Sequence, residues 1–293
     1  MIIMKPFRFA LFLAALFVFL ASAGASAACL TSPFESDVAR AVERARAFGN
    51  IAKENGGLRI LGGITPHHGL ALDMIARFYE LISSDAANVR RIWLMSPDHF
   101  ERARNYVAVC GDDWFAAGRK LETDAAAKSG FSGMSIAEVN SRLFAEEHGI
   151  TIHIPLIARY FPNATIVPMV LKPNTPDIAL LMLKNYIIGV MGENDLVILS
   201  MDMSHYKTSE EMQAEDARSL EVLTNLEPMK TDRIDIDARR AASLVLRLFK
   251  ELGAERGEVA ERMDSSDIMG YKLDPISGTS YATIIYKSGR KKF

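Results

Sequence analysis

Short apolar runs alternate with amphipathic stretches along most of the chain. The apolar runs predict buried strands at residues 58–64, 92–95, 106–110, 164–171, 196–200 and 281–286. Helical spacing of apolar residues predicts helices at residues 36–54, 70–81, 136–147, 176–191, 210–226 and 238–252. Two segments stay open: residues 114–123 fit no single pattern, and residues 150–160 fit either a strand or a helix with Pro155 in its first turn.

Strands that alternate with helices in this way are typical of an α/β fold. We expect a mainly parallel or mixed central sheet with helices on both faces, because near-continuous apolar strands are buried on both sides. The chain has no internal repeat, no low-complexity tract and no linker of the kind that separates domains. One domain, residues 28–293, is therefore predicted.

The first 27 residues have the pattern of a secretory signal peptide. Lys5 and Arg8 precede an apolar run at residues 9–20, and Ala25-Ser26-Ala27 fits a small-residue cleavage site. The run is short of the roughly 20 residues that span a bilayer, which argues against a membrane anchor. We therefore expect an exported protein, periplasmic or anchored to the cell envelope by lipid.

Cys29 decides between those two locations. Residues 26–29 resemble a bacterial lipoprotein box, with Ser26 where such boxes usually have Leu, and an acylated Cys29 would be the only cause of membrane association. Cys110, the other cysteine, is either a free thiol or the partner of Cys29 in a disulfide. The formal charge of −2 and the lack of a basic block argue against a nucleic-acid partner.

The chemistry of the chain is concentrated in its six histidines. They are His67, His68, His99, His148, His153 and His205. Four of them directly follow predicted strands, and the other two share one short segment. The carboxyl ends of parallel strands meet at one edge of a sheet, where α/β proteins place their ligands. The histidines can instead be hydrogen-bonded core residues without a function.

A metal site is the reading that this pattern favours. Imidazole is the commonest metal ligand among side chains, and two histidines with one carboxylate suit non-haem Fe(II), while three ligands and a water suit catalytic zinc. Asp98 or Asp202 could supply the carboxylate or orient a ligating histidine. Ser96 and Ser204 leave a hydroxyl nucleophile as a minor alternative; there is no G-x-S-x-G elbow, H-E-x-x-H motif or Gly-rich phosphate loop.

Four segments resemble motifs of one family. PHHG at residues 66–69, SPDH at 96–99, EHGITIHIP at 147–155 and SMDMSH at 200–205 are similar, in order, to the P-H-A-G, G-P-S-H, E-H-S-I-E-x-H-L-P and S-S-D-x-S-H segments of the Memo-like family. Its prokaryotic members are called AmmeMemoRadiSam system protein B, and the family resembles class III extradiol dioxygenases, which are non-haem iron enzymes with one α/β domain.

The resemblance implies a metal pocket. His67 and His99 correspond to the first two ligands of the family. The other residues of the pocket, which would handle protons or bind a polar substrate, are Asp202, His205, His148 and His153.

The chain departs from the family pattern within these motifs and beyond them. His68 replaces the small residue of P-H-A-G, and Thr151 replaces the second Glu of E-H-S-I-E. The family's third ligand is a Cys before a late helix, and the alignment puts Asp237 at that place. If Asp237 does not bind the metal, His68 or His205 would complete the site.

The resemblance implies a metal-dependent oxidoreductase or hydrolase whose substrate is unknown. The alternative is a non-catalytic module that binds a metal, a peptide or another small ligand on the same fold. A carboxylate in place of a thiolate shifts the preference away from copper(I), so we expect a divalent metal, with iron favoured over zinc, manganese or copper.

Overall fold

The computed structural model describes residues 29–47, 58–272 and 278–291. The strands are β1 (Leu30–Thr31), β2 (Leu58–Thr65), β3 (Arg91–Pro97), β4 (Val107–Val109), β5 (Trp114–Ala116), β6 (Arg119–Leu121), β7 (Ala137–Val139), β8 (Thr165–Leu171), β9 (Asp195–Ser200), β10 (Ala254–Asp264) and β11 (Ser280–Lys291). The α-helices are α1 (Glu35–Ala47), α2 (Leu72–Ile82), α3 (Ala125–Ser132), α4 (Ser141–Phe144), α5 (His148–Thr151), α6 (Ile154–Tyr160), α7 (Asp177–Val190), α8 (Ser209–Thr224), α9 (Arg239–Glu251) and α10 (Ser265–Met269). The predicted signal peptide, residues 1–27, lies outside the described residues, as does the end of the first predicted helix.

One mixed sheet runs through the centre of the described chain, in the strand order β10-β11-β2-β9-β3-β8-β4-β7. The four central strands β2, β9, β3 and β8 are parallel, whereas β11 is antiparallel to β2 and β4 is antiparallel to β8. A small second sheet joins β1, β5 and β6. The predicted single α/β domain with a mixed sheet is confirmed.

Both faces of this sheet are covered, as the apolar character of its strands requires. Trp93 and Met95 of β3 belong to a core on one side with helices α7 and α9. Ile92 and Leu94 of the same strand belong to a core on the other side with α1, α2 and α6. Successive side chains of a strand point to opposite faces, so a strand apolar at every position fills both cores.

Two of the helix and strand predictions were wrong or incomplete. Residues 136–147 were predicted to be helical, but they form the edge strand β7, which pairs with β4, followed by the single turn α4. Apolar residues 136, 139, 143 and 144 have helical spacing by coincidence, because a strand and a turn share the segment. Strand β10 was missed because it lacks an apolar run. It lies at the edge of the sheet and pairs with β11 alone among the described strands, and its many exposed positions carry polar residues.

The two open segments also have a definite structure. Residues 148–160 are helical, as α5 and α6, with Pro155 at the start of α6. Residues 114–121 form the hairpin of β5 and β6. Within the described ranges, no helix is both long and apolar enough to cross a bilayer.

Gly62 allows β2 to lie against β9 at the centre of the sheet. It pairs with Val197 and has a φ of +131°, a conformation that L side chains rarely adopt. A Cβ at this position would lie 1.8 Å from the carbonyl oxygen of Val197. The approach of β2 to β9 therefore depends on the absence of a side chain here.

We expect Gly62→Ala to destabilise the protein by about 3 kcal/mol or more, because it adds backbone strain to a clash with main-chain atoms. Chemical denaturation monitored by circular dichroism measures the change. Gly69→Ala is the matched control, since a Cβ at Gly69 meets nothing within 4 Å, and its free energy of unfolding should stay within about 1 kcal/mol of wild type. Equal effects of the two substitutions would contradict this account of β2.

Candidate metal centre

Three adjacent parallel strands bring the candidate residues to one edge of the sheet. His67 follows β2, Asp202 and His205 follow β9, and His99 follows β3. Since β9 lies between β2 and β3, the three loops are neighbours. Asp237 joins them from the loop before α9, and His148 joins them from the first residue of α5.

The centre of the site is a pair of imidazole nitrogens that face each other. His67 Nε2 and His99 Nε2 are 3.0 Å apart. Asp237 Oδ2 is 3.1 Å from His67 Nε2 and 3.8 Å from His99 Nε2. Two ligand atoms that are each about 2.1 Å from one metal ion are separated by roughly 3 to 3.5 Å. The spacing of these three atoms fits a shared metal ion.

Hydrogen bonds on the opposite side of each ring hold this orientation. His99 Nδ1 donates to Glu147 Oε1 at 2.5 Å, and His67 Nδ1 lies 3.0 Å from Ser200 Oγ. A neutral His99 that donates through Nδ1 has its lone pair on Nε2, directed into the site. Partners of this kind fix the tautomer and orientation of metal-binding histidines.

Glu147 was not assigned a role from the sequence, although it lies within one of the recognised motifs. Its carboxylate is fully buried and also accepts the backbone N–H groups of His99, at 3.2 Å, and Gly149, at 3.1 Å. It thus ties the loop after β3 to the start of α5. The sequence clues were its place in that motif and its position directly before His148.

Two hydrogen bonds hold Asp202 and Asp237 together, one between their main chains and one from the Asp202 main chain to the Asp237 carboxylate. The Asp237 N–H donates to the Asp202 carbonyl at 3.3 Å, and the Asp202 N–H donates to Asp237 Oδ1 at 3.2 Å. Asp202 Oδ1 accepts the backbone N–H of His67 at 3.0 Å, while its Oδ2 is 3.7 Å from His67 Nε2. Asp237 therefore occupies a defined place beside the two imidazoles.

His148 adds a further nitrogen to the site. Its ring centroid is 4.0 Å from that of His99 and 5.1 Å from that of His67. Ligand atoms of His67, His99 and His148 lie within 4.8 Å of one another, as do those of His67, Asp202 and Asp237. The cluster can bind a divalent metal through more than one combination of three ligands.

A pocket of about 610 Å³ opens onto this cluster. Its lining residues are His67, His68, His99, His148, Asp202, His205, Tyr206, Asp237 and Thr279. His205 lies at its edge, where Nδ1 donates to the Met203 carbonyl at 3.0 Å and Nε2 is 3.9 Å from Asp202 Oδ2. The ring of His68 is stacked on Tyr281, and His68 Nδ1 is 2.6 Å from the Tyr281 hydroxyl.

His153 differs from the other candidates because it does not line the pocket. Its ring is fully buried beside Tyr79, with the two ring centroids 5.9 Å apart. Neither ring nitrogen has a hydrogen-bond partner among the described residues. Burial lowers the pKa of His153 to about 3, so the ring is neutral at physiological pH.

The remaining sequence candidates have structural partners. Asp98 is buried and accepts the backbone N–H groups of Arg102 and Ala103, so its carboxylate stabilises the turn after β3. Ser204 donates to the buried Asp216, and Ser96 Oγ has no partner among the described residues. Cys29 and Cys110 are both free thiols, and Cys110 is buried.

Opposite charges balance within the cluster. Burial lowers the pKa of His67, but the carboxylates of Asp202 and Asp237 outweigh it and raise that pKa above its usual value. Burial likewise opposes protonation of His99, yet hydrogen bonds to Asp237 and Glu147 raise its pKa to about 9. Burial alone would raise the pKa of Asp237, whereas the two imidazoles lower it. The carboxylates therefore favour a proton on this pair of imidazoles when no metal is bound.

His148 is kept neutral by the same arrangement. Burial and the positive charges of His99 and His67 lower its pKa to about 4. A neutral imidazole retains a nitrogen lone pair at pH 7. His148 can therefore accept a proton or bind a metal without first losing a proton.

Gly149 makes room for the loop that carries His99. A Cβ at Gly149 would lie 2.0 Å from Ser96 Oγ and 3.1 Å from His99 Cε1. The first turn of α5 therefore packs directly against the end of β3. The close contact keeps His148 and His99 together.

Known proteins match this chain over nearly all of the described residues. A family model for Memo-like proteins matches residues 37–285, which include every residue that lines the pocket. A MEMO1 family protein of Nitrosopumilus maritimus is 22% identical over 244 residues, 80% of this chain and 87% of the relative. One from Methanosarcina mazei is 25% identical over 239 residues, 77% and 85% of the two chains. One from Desulfurococcus amylolyticus is 33% identical over 95 residues, 31% and 34% of the two chains.

The burial of His153 predicts a specific dependence of stability on pH. The pKa of His153 is about 3 in the folded protein and about 6.5 in the unfolded chain. Below pH 6.5 the His153 ring is protonated in the unfolded chain but stays neutral in the folded protein. The contribution of His153 to the free energy of unfolding therefore falls as the pH falls. At pH 5 this amounts to about 2 kcal/mol, and it vanishes at pH 8.

His153→Leu should remove this part of the pH dependence. Urea denaturation at pH 5 and pH 8 measures the difference for the wild type and the variant. The matched control is His205→Leu, whose ring solvent reaches, and it should keep the wild-type difference. An unchanged pH dependence in His153→Leu would contradict the buried, neutral assignment.

Proposed function

The chain belongs to the Memo-like family, and from that premise we propose that it is an exported protein that binds one divalent metal ion and acts as a metal-dependent oxidoreductase or hydrolase. The observation that carries the proposal is the pair of Nε2 atoms of His67 and His99, which face each other at 3.0 Å with the Asp237 carboxylate beside them. The similarity of the motifs to those of the family, itself related to class III extradiol dioxygenases, supports the same assignment.

The ligands are His67, His99 and Asp237, with His148 within reach of the same point. Two imidazoles and a carboxylate, without a thiolate, favour iron(II) over zinc, manganese or copper. When bound, the ion supplies Lewis acidity or an electron-transfer centre at the pocket. Glu147 and Ser200 orient the two imidazoles from behind.

The proposed catalytic residues are His205, Asp202, His148 and His153. His205 has Nε2 on the side of Asp202, because its Nδ1 donates to the Met203 carbonyl, so Nε2 is its proton-accepting atom. His148 remains neutral at pH 7 and accepts a proton from a substrate group in the pocket. His153 is enclosed behind the pocket, and its contribution would be to position neighbouring groups.

A non-catalytic binding module is the second candidate, and the charge balance of the site favours it. Asp237 Oδ2 lies 3.1 Å from His67 Nε2 and 3.8 Å from His99 Nε2, so a proton held among these groups can keep the loops in place while a metal enters or leaves. A protein that captures and delivers metal needs that property. Bound metal with no turnover on ester or catecholic substrates would favour this candidate.

Anaerobic purification followed by elemental analysis tests the metal site. We expect about one equivalent of metal, predominantly iron, in the wild type. His67→Ala and His99→Ala should each lower it below about a tenth of an equivalent, since each removes a central ligand. His68→Ala is the control, because its ring is stacked on Tyr281, and it should retain the metal.

Comparison of Asp237→Ala with His148→Ala identifies the third ligand. The proposal expects the larger loss of metal for Asp237→Ala. A wild-type protein with less than about a tenth of an equivalent, unchanged by the His67 and His99 substitutions, would refute the metal site. If substitution of His68 or His205 caused the larger loss of metal instead, that histidine would be the third ligand.

Export is the other part of the proposal, and residues 1–27 support it. When the full chain is expressed in bacteria that have a secretion system, we expect a mature protein that begins at Ala28. Mass spectrometry of the N-terminus measures this directly. An N-terminal Cys29 with added acyl mass would mean a lipid anchor, and an intact Met1 in the cytoplasmic fraction would contradict export. Cys29→Ser, which cannot be acylated, is the control.

A further inference from the structure

A second cavity of about 420 Å³ lies beside the candidate metal centre. His99 and Asp237 line it as well as the histidine-rich pocket. The other residues of its lining are Pro97, Asp98, Glu101, Leu171, Lys172, Pro173, Asp232, Ile236, Ala238, Arg239, Arg240 and Ala241. We call it the Lys172 cavity. Its size is within the range of small-molecule sites in proteins.

Two cations in this lining lack a counter-charge. Lys172 is half-buried, and in the described part of the chain its ammonium forms no ion pair. Arg239 donates through Nε to the Ile234 carbonyl at 3.0 Å and also forms no ion pair with a described residue. Arg240 is different, because Asp177 and Asp232 pair with its guanidinium.

The carboxylates of the lining do not supply the missing partners. Asp98 accepts two backbone N–H groups, Asp232 pairs with Arg240, and Asp237 pairs with His67. Glu101 is exposed and lies within 4 Å of neither unpaired cation. A lysine and an arginine that line one cavity without a carboxylate partner can together pair with a bound anion.

The rest of the wall is apolar. Leu171, Ile236, Ala238 and Ala241 line this space but expose little of their surface, and Pro173 adds an exposed apolar residue beside them. Such a surface holds the hydrocarbon part of a ligand, while a few polar groups fix its orientation. An inorganic anion would leave this apolar wall without a contact.

We propose that the Lys172 cavity binds a small organic carboxylate. The carboxylate pairs with Lys172, with Arg239 as the second cation, and the hydrocarbon body lies on the apolar wall and extends towards His99 and Asp237. One part of the inference rests on the proposed function, namely that the bound carboxylate is the ligand that reaches the metal. The cavity itself requires no metal, so the two ideas can fail separately.

Benzoate is the probe for this proposal, and benzamide is its uncharged counterpart. Isothermal titration calorimetry would measure both with the full-length processed protein, in metal-loaded and chelator-treated samples whose metal content is determined in parallel. We expect benzoate to bind more tightly than benzamide. Lys172→Gln should lower the affinity for benzoate at least about tenfold and leave the affinity for benzamide unchanged, because only benzoate forms the charge-assisted pair.

Two further variants control the experiment. Lys184→Gln removes a partly buried lysine that pairs with Glu251 on another surface, and it should bind benzoate as the wild type does. Arg239→Gln should lower the affinity for benzoate to a smaller extent, because Arg239 is exposed. The Arg239→Gln variant also tests the cavity if Lys172→Gln does not fold.

Several outcomes would overturn the proposal. The first is that a protein that retains its metal does not bind benzoate. The second is that the wild type and Lys172→Gln bind benzoate equally, and the third is that inorganic phosphate binds more tightly than benzoate. The first leaves the metal site intact and removes only the carboxylate site. Conversely, Lys172-dependent benzoate binding would support the cavity even if the anaerobically purified protein held no metal and could not be loaded with it, a result that would refute the proposed metal function alone.

Discussion

Parallel pairing of β2, β9 and β3 is the constraint on which the candidate site depends. Gly62 to Thr65 pair in parallel with Val197 to Ser200, and β3 pairs in parallel with the other edge of β9. Three loops must therefore leave the sheet at one edge, and each carries a histidine or an aspartate. No single loop holds enough ligands for a metal, so the geometry of the site follows from the backbone register.

The sequence was most informative where residue pattern and topology agree. Apolar runs placed the central strands, and histidines after those strands implied a shared site because parallel strand ends converge. It was least informative where partners decide the outcome. Edge strand β10 is polar because most of its side chains are exposed or half-buried, and β7 has accidental helical spacing. The enclosure of His153 and the orienting role of Glu147 depend on tertiary packing, which no local pattern contains.

The carboxylate of Asp237 changes the character of the cluster relative to a thiolate at the same place. It lies beside the imidazoles of both His67 and His99, and hydrogen bonds tie its backbone N–H and its Oδ1 to the main chain of Asp202. The site is thus organised in advance of metal binding, and protons compete with a metal for the same atoms.

The close packing at Gly149 determines which residues the two sides of the contact accept together. A Cβ at 149 would lie 2.0 Å from Ser96 Oγ, so a side chain at 149 beside serine at 96 would force the loop of His99 away from α5. The two positions are therefore coupled, because the residue that one accepts depends on the residue at the other, and a change at either is transmitted to the place of His99.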